Sequence, residues 1–268
     1  MRIKLTLTPS DRNCAIPINY QYPLSAAIYK ILNSASPDYA AFLHEKGYIS
    51  PNRKPLKLFT FSRLWCPDMK RAGSTLVIRS QTSCHFQIAS PMLEDFVQNF
   101  VIGLFQQQEI DIGGAQTVGK FAITQVETLA APKFSPEEKF ISLAPIVVSA
   151  KHEHRGKEAT YYIRPGDPQL GDAIRKNLVQ KFQTIYKQTP DDDQLLFSLD
   201  ENYIQRKGGY DKISKLITIK EGEEAETQIK CFIAPFALKG SIELMRVAYE
   251  CGIGEKNSLG FGMIEVVR

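Results

Sequence analysis

A chain of 268 residues with 43% hydrophobic content is long enough to bury the core of one large domain or of two ordinary ones. Its net charge of +4 excludes a histone-like polycation and leaves room only for a local basic groove set among neutralising acids. The five cysteines, scattered at Cys14, Cys66, Cys84, Cys231 and Cys251 with no C-x-x-C pair, exclude a disulfide framework and a zinc site.

The start, Met1-Arg-Ile-Lys-Leu-Thr-Leu-Thr, lacks the apolar core of a signal peptide, and no segment is long enough to span a bilayer. A cytoplasmic protein with no membrane partner is expected. Arg2 to Thr8 alternates as a strand with Ile3, Leu5 and Leu7 on one face, and a helix begins near Pro23 with Leu24, Ala27, Ile28, Ile31 and Leu32 at helical spacing. Ser36-Pro37 opens a second short helix that ends at Gly47. Strands follow at Leu56 to Ser62, Ser74 to Arg79 and Cys84 to Ala89. Ser90-Pro91 then starts a helix whose stripe includes Phe96, Val97, Phe100 and Leu104, and a strand runs from Thr117 to Thr128.

Strand, helix, two strands, helix, strand is the βαββαβ order of a ferredoxin-like domain. After the proline-bearing stretch from Ala131 the order recurs: strand Ile141 to Ser149, helix Pro168 to Tyr186, strands near Lys215 to Ile219 and Gln228 to Ile233, helix Ser241 to Tyr249, strand Met263 to Val267. The expected fold is α+β, two tandem ferredoxin-like (RRM-like) domains at residues 1–130 and 138–268. Two such domains side by side leave a cleft between them.

Near the end stands Gly252-Ile-Gly-Glu-Lys-Asn-Ser-Leu-Gly-Phe-Gly262, in which glycines permit close backbone approach while Lys256, Asn257 and Ser258 offer donors to anionic oxygens. The run lies between helix and strand and lacks a contiguous Gly-Lys-Ser/Thr, so it is not a nucleotide-binding P-loop. His152-Glu-His154 has metal-like spacing but no third ligand, and a polar turn is the better reading. Arg63, Lys70, Arg71 and Arg79 around Trp65 have the charge and the stacking ring to guide RNA, with a solvated basic surface as the default reading.

With its strand-like start, tyrosine-bearing first helix, His44, Lys57 to Ser62 (Lys-Leu-Phe-Thr-Phe-Ser) and terminal glycine run, the chain resembles the CRISPR-associated repeat-RNA-processing endoribonucleases of the repeat-associated mysterious protein (RAMP) superfamily. The resemblance implies binding and cleavage of CRISPR repeat RNA without metal or cofactor. It places catalytic residues at Tyr29, His44 and Lys57, with Lys54 as the alternative lysine because the segment before Lys57 is long. It places RNA binding at Gly252, Gly254, Lys256, Asn257, Ser258, Gly260 and Gly262. It also implies other CRISPR-associated proteins as partners and leaves monomer and homodimer open. The alternative from the same superfamily is a non-catalytic RNA-binding subunit of an effector complex; a free-nucleotide enzyme of ferredoxin-like fold is the remoter one.

Those residue types suit the chemistry. Metal-free RNA cleavage needs the 2′-OH deprotonated, the departing 5′-oxygen protonated and phosphorane charge stabilised, tasks that a histidine, a second hydrogen-bonding group and a cation perform. In the Pro37 helix, Tyr39, Phe42 and Leu43 share one face and His44 falls almost opposite; Tyr29 lies off its helix's apolar stripe, on the flank with Ser25.

Overall fold

The computed structural model describes residues 1–79, 82–114, 116–154 and 157–268. Its first half contains β1 (Arg2–Pro9), α1 (Gln21–Ala35), α2 (Pro37–Glu45), β2 (Thr60–Phe61), β3 (Cys84–Ala89), α3 (Gln98–Gln106), β4 (Glu109–Gly113) and β5 (Val118–Leu129). These strands form one antiparallel sheet in the order β2-β3-β1-β5-β4. Period-two alternation puts Ile3, Leu5 and Leu7 of β1 and Phe86 and Ile88 of β3 on the face that buries Leu24, Ile28 and Ile31 of α1 and Phe100 of α3. Ser36 caps α2 by accepting from the Tyr39 N–H, with Pro37 in the first helical turn, as the dipeptide predicts.

The second half contains β6 (Glu137–Ser142), α4 (Leu170–Tyr186), β7 (Leu195–Leu199), β8 (Phe236–Gly240), α5 (Ile242–Cys251) and β9 (Ile264–Val266). Its sheet runs β7-β8-β6-β9, all neighbours antiparallel. The segments near Lys215 to Ile219 and Gln228 to Ile233 are strands, but Ser214–Ile219 and Thr227–Phe232 form a two-stranded hairpin apart from the main sheet, tied by a single bridge from Phe232 to Ile146, and it buries Ile219, Ile229 and Cys231 with Val147 and Phe261. The second and third strands in chain order are instead Leu195–Leu199, at the edge of the sheet, and Phe236–Gly240 beside it, and the first strand is Glu137–Ser142 rather than Ile141 to Ser149. The alternation of the hairpin is as strong as that of a core strand because it too covers an apolar floor. In the first half, Thr75–Arg79 likewise leaves the main sheet and joins Asn13–Pro17 and Met69–Ala72.

A buried arginine joins the halves. Arg2 of β1 is 2% exposed; its guanidinium donates to Glu265 at 2.9 Å, to the carbonyls of Tyr249 and Ile264 at 2.9 Å each, and lies 3.5 Å from the centre of the Tyr249 ring. Alanine at this position strands two buried carbonyls, so we expect a loss of about 3 kcal/mol in urea unfolding. A loss below about 1 kcal/mol would mean that solvent replaces the guanidinium.

All five cysteines are free and buried. Burial pushes the thiols of Cys14 up to about 11 and of Cys231 and Cys251 up to about 12. In the unfolded chain thiols ionise near pH ~8.5, so above that pH the unfolded state sheds protons that the native state retains, and stability falls by about 1.4 kcal/mol per pH unit for each thiol. Lys181, pushed down to about 8 by burial, works in the opposite direction but is one group against three. Melting temperature should therefore drop steeply above about pH 9; a flat profile to pH ~10.5 would contradict this.

Candidate active site

The site forms where the end of α2, the flank of α1 and the segment leading into β2 meet the loop after α5. Leu43 is buried and Phe42 packs on the core, so α2 rotates His44 outward into an exposed position. Tyr29 is half-buried and meets His44 edge-on, their ring centres 5.6 Å apart. The Lys57 ammonium donates to the main-chain carbonyl of His44 at 2.7 Å, one of the last carbonyls of α2. Gly47 makes this possible: it sits at φ +66°, and a Cβ there would lie 2.7 Å from the Leu56 carbonyl and 3.3 Å from Lys57 Nζ. Tyr29, His44 and Lys57 thus converge, while Lys54 is exposed on the tight turn closed by Ser50.

Leu58, next to Lys57, adopts φ +50°, a left-handed conformation uncommon for a bulky residue. The bend sends Leu58 into the core of the second half and Phe59 into that of the first. Ser90 Oγ holds it by donating to the Leu58 carbonyl at 2.8 Å.

A cavity of about 420 Å³ lies between the halves, lined among others by Lys54, Lys57, Asn177, Lys181, Lys256 and Ser258. Burial pushes the Lys57 ammonium down from its ordinary value and the Tyr29 phenol up; the Ser258 side chain opposes the latter shift. At neutral pH the phenol therefore keeps its proton.

The loop from Gly252 to Gly262 packs inward. Gly252, Gly254, Gly260 and Gly262 are buried, whereas Lys256, Asn257 and Ser258 are partly exposed and line the cavity. The glycines are required first by the protein's own packing: a Cβ on Gly262 would stand 2.0 Å from the Ile253 carbonyl oxygen, and one on Gly260 would stand 2.8 Å from the Phe61 ring. Asn257 is a clasp, its Nδ2 donating to the carbonyls of Ile253 and Phe261 at 3.1 Å each. The loop docks on the first half through Ser25 Oγ, which donates to the Ser258 carbonyl at 2.6 Å, and Thr60 Oγ1, which donates to that of Phe261 at 3.0 Å.

Residues 129–266 match the family described as CRISPR associated protein Cas6, C-terminal, and residues 15–126 match CRISPR-associated protein Cas6, N-terminal. The chain belongs to the Cas6 family. Among Cas6 proteins, the CRISPR-associated endoribonuclease Cas6 1 of Methanocaldococcus jannaschii is 30% identical over 266 residues, covering 98% of this chain and 92% of that one. The CRISPR-associated endoribonuclease Cas6 of Pyrococcus furiosus is 27% identical over 271 residues, 99% of this chain and 90% of its own. A solved structure described as an RAMP protein binding different RNA substrates superposes with a TM-score of 0.79 at 24% identity over 100% of both chains, so the Cas6 fold extends to it.

Sequence reasoning missed Lys181 in this Cas6 chain. It is fully buried in α4 and donates to the carbonyls of Gly252 at 2.7 Å and Gly254 at 2.8 Å and to Asn257 Oδ1 at 2.8 Å. A signal was present: position 181 falls on the apolar stripe of Leu170, Ile174 and Leu178, where a lysine has to find buried acceptors. The side chains of His152 and His154 lie outside the described residues. Trp65 is exposed and packs against His85 with ring centres 4.8 Å apart and planes tilted by 36°, at the surface that bears Arg63. No helix among the described residues is long and apolar enough to cross a membrane.

Proposed function

We propose that this Cas6 protein is a metal-independent endoribonuclease that binds CRISPR repeat RNA and cuts precursor CRISPR RNA within each repeat. The observation that carries the reading is the meeting of an exposed imidazole, a protonated phenol and a fixed ammonium beside a lysine-lined cavity. The ribose 2′-oxygen attacks the adjacent phosphorus and the 5′-oxygen leaves, giving 2′,3′-cyclic phosphate and 5′-hydroxyl ends. His44 exchanges protons with the reacting oxygens, Tyr29 donates a hydrogen bond to ribose or phosphate, and Lys57 stabilises the phosphorane charge. Lys256 and Ser258 supply phosphate contacts, and Asn257 with Gly252, Gly254, Gly260 and Gly262 shapes the loop that presents them.

Two ferredoxin-like domains, 1–130 and 138–268, underlie this arrangement. Ranked by order in each half, the strands β1, β2, β3, β5 and β6, β7, β8, β9 both line up as second, third, first, fourth, and the family matches divide near the same point. Cleft and loop then belong to the junction of the domains.

The test is to incubate the protein with RNA transcribed from its own CRISPR repeat in excess chelator and to map the ends. One cut per repeat with cyclic phosphate and 5′-hydroxyl termini is expected. Cleavage that requires a divalent ion, or leaves 5′-phosphates, defeats the mechanism; binding without cutting makes the protein a non-catalytic RNA-binding subunit.

A further inference from the structure

We propose that Lys181 is a positioning residue for the Tyr29–His44 pair, acting through the Gly252–Gly262 loop that its ammonium holds against α1. The inference rests on the cleavage reading above. Three acceptors of the loop converge on one buried ammonium: the carbonyls of Gly252 and Gly254 and the side chain of Asn257. No carboxylate is among these partners, so the ammonium is tied to loop geometry rather than to a counter-ion. All three of its N–H bonds are used on the loop, which is the full donor capacity of a lysine.

The path onward is short. Asn257 also clasps the Ile253 and Phe261 carbonyls, which fixes the turn, and the next residue, Ser258, receives the Ser25 hydroxyl on its carbonyl at 2.6 Å. Ser25 lies one helical turn before Tyr29 on α1, and Tyr29 meets His44 edge-on. A methionine at position 181 keeps the apolar stem but leaves two carbonyls and an amide oxygen without their donor, so the loop shifts or admits water. The support behind Tyr29 then loosens, because Ser258, which takes the Ser25 hydroxyl, directly follows Asn257.

The decisive measurement is a double-mutant cycle on single-turnover cleavage. Lys181→Met should slow the rate by about tenfold or more while affinity for repeat RNA with a 2′-deoxy cleavage position changes less than about threefold. In a Tyr29→Phe background the same substitution should cost less than about twofold. Equal losses in both backgrounds, or an unchanged rate in the single variant, overturn the proposal. If Lys181→Met does not fold, Asn257→Ala, which leaves Lys181 its two carbonyls, must show the same non-additivity.

Hydrogen exchange on the free protein separates this from a failure of the cleavage reading. Lys181→Met should raise exchange in the loop and in the α1 turn from Ser25 to Tyr29 and leave β1 unchanged. Unchanged exchange at α1 overturns the positioning role even if RNA is cut. Absence of cleavage by the wild type, with α1 exchange raised in the variant, retires the RNA reaction and keeps the link between Lys181 and Tyr29.

Discussion

Replacing His44 by alanine should slow cleavage of repeat RNA by a factor on the order of 10² or more, with RNA affinity nearly intact. His44 is exposed, so its removal leaves no cavity, and Lys57 bonds to the His44 main-chain carbonyl, which alanine retains. Loss of rate would therefore report loss of proton exchange, not collapse of the site. Single-turnover rates at saturating protein give the comparison, and equal rates in the two proteins would remove His44 from the mechanism. Lys57→Ala offers the contrast: it takes away the cation and frees the end of α2 together, so rate and stability should fall jointly.

The second large effect is structural. Gly262→Ala should lower the melting temperature by about 6–12 °C, the equivalent of about 3 kcal/mol in a chain of this size. Gly262 sits at φ +75°, and its added Cβ meets main-chain oxygen, which cannot rotate away as a side chain can. Gly171→Ala is the control, because a Cβ there meets nothing closer than 3.7 Å within helix α4. It should be neutral or slightly stabilising. A Gly262→Ala protein that melts within about 2 °C of the wild type would show that the loop yields easily.

Much of the first half was legible because its elements follow local rules. Ser36-Pro37 marked a helix start, the 3.6-residue stripe marked α1, and alternation marked β1 and β3. His44 was placed on the outward face of α2 by the same periodicity that buries Leu43. The second half was harder to read. Leu195–Leu199 and Phe236–Gly240 are five residues each, while the outlying hairpin alternates over six residues per strand and drew the assignment. Whether a strand lies in the main sheet is a tertiary property that alternation does not encode.

In the site, residue types were readable and their partners were not. The glycines were visible as a loop, but the surfaces they touch, the Val147 carbonyl under Gly254 and the Phe61 ring under Gly260, come from distant segments. Arg2 looked like one polar position of a strand, since its acceptors at Tyr249 and Ile264 lie 247 and 262 residues away. Lys181 interrupted an apolar stripe, and that irregularity was the one trace of its role.

Those separations bear on how the protein comes into being. Ser25 and Ser258 are 233 residues apart, and Arg2 and Glu265 are 263 apart. A ribosome that has delivered Tyr29, His44 and Lys57 has yet to deliver the segment that braces them. The first sheet can form while synthesis continues, but the reaction centre stays unfinished until the distant segment arrives. A prematurely terminated chain would carry Tyr29, His44 and Lys57 without the loop that Ser25 and Thr60 dock against the first half.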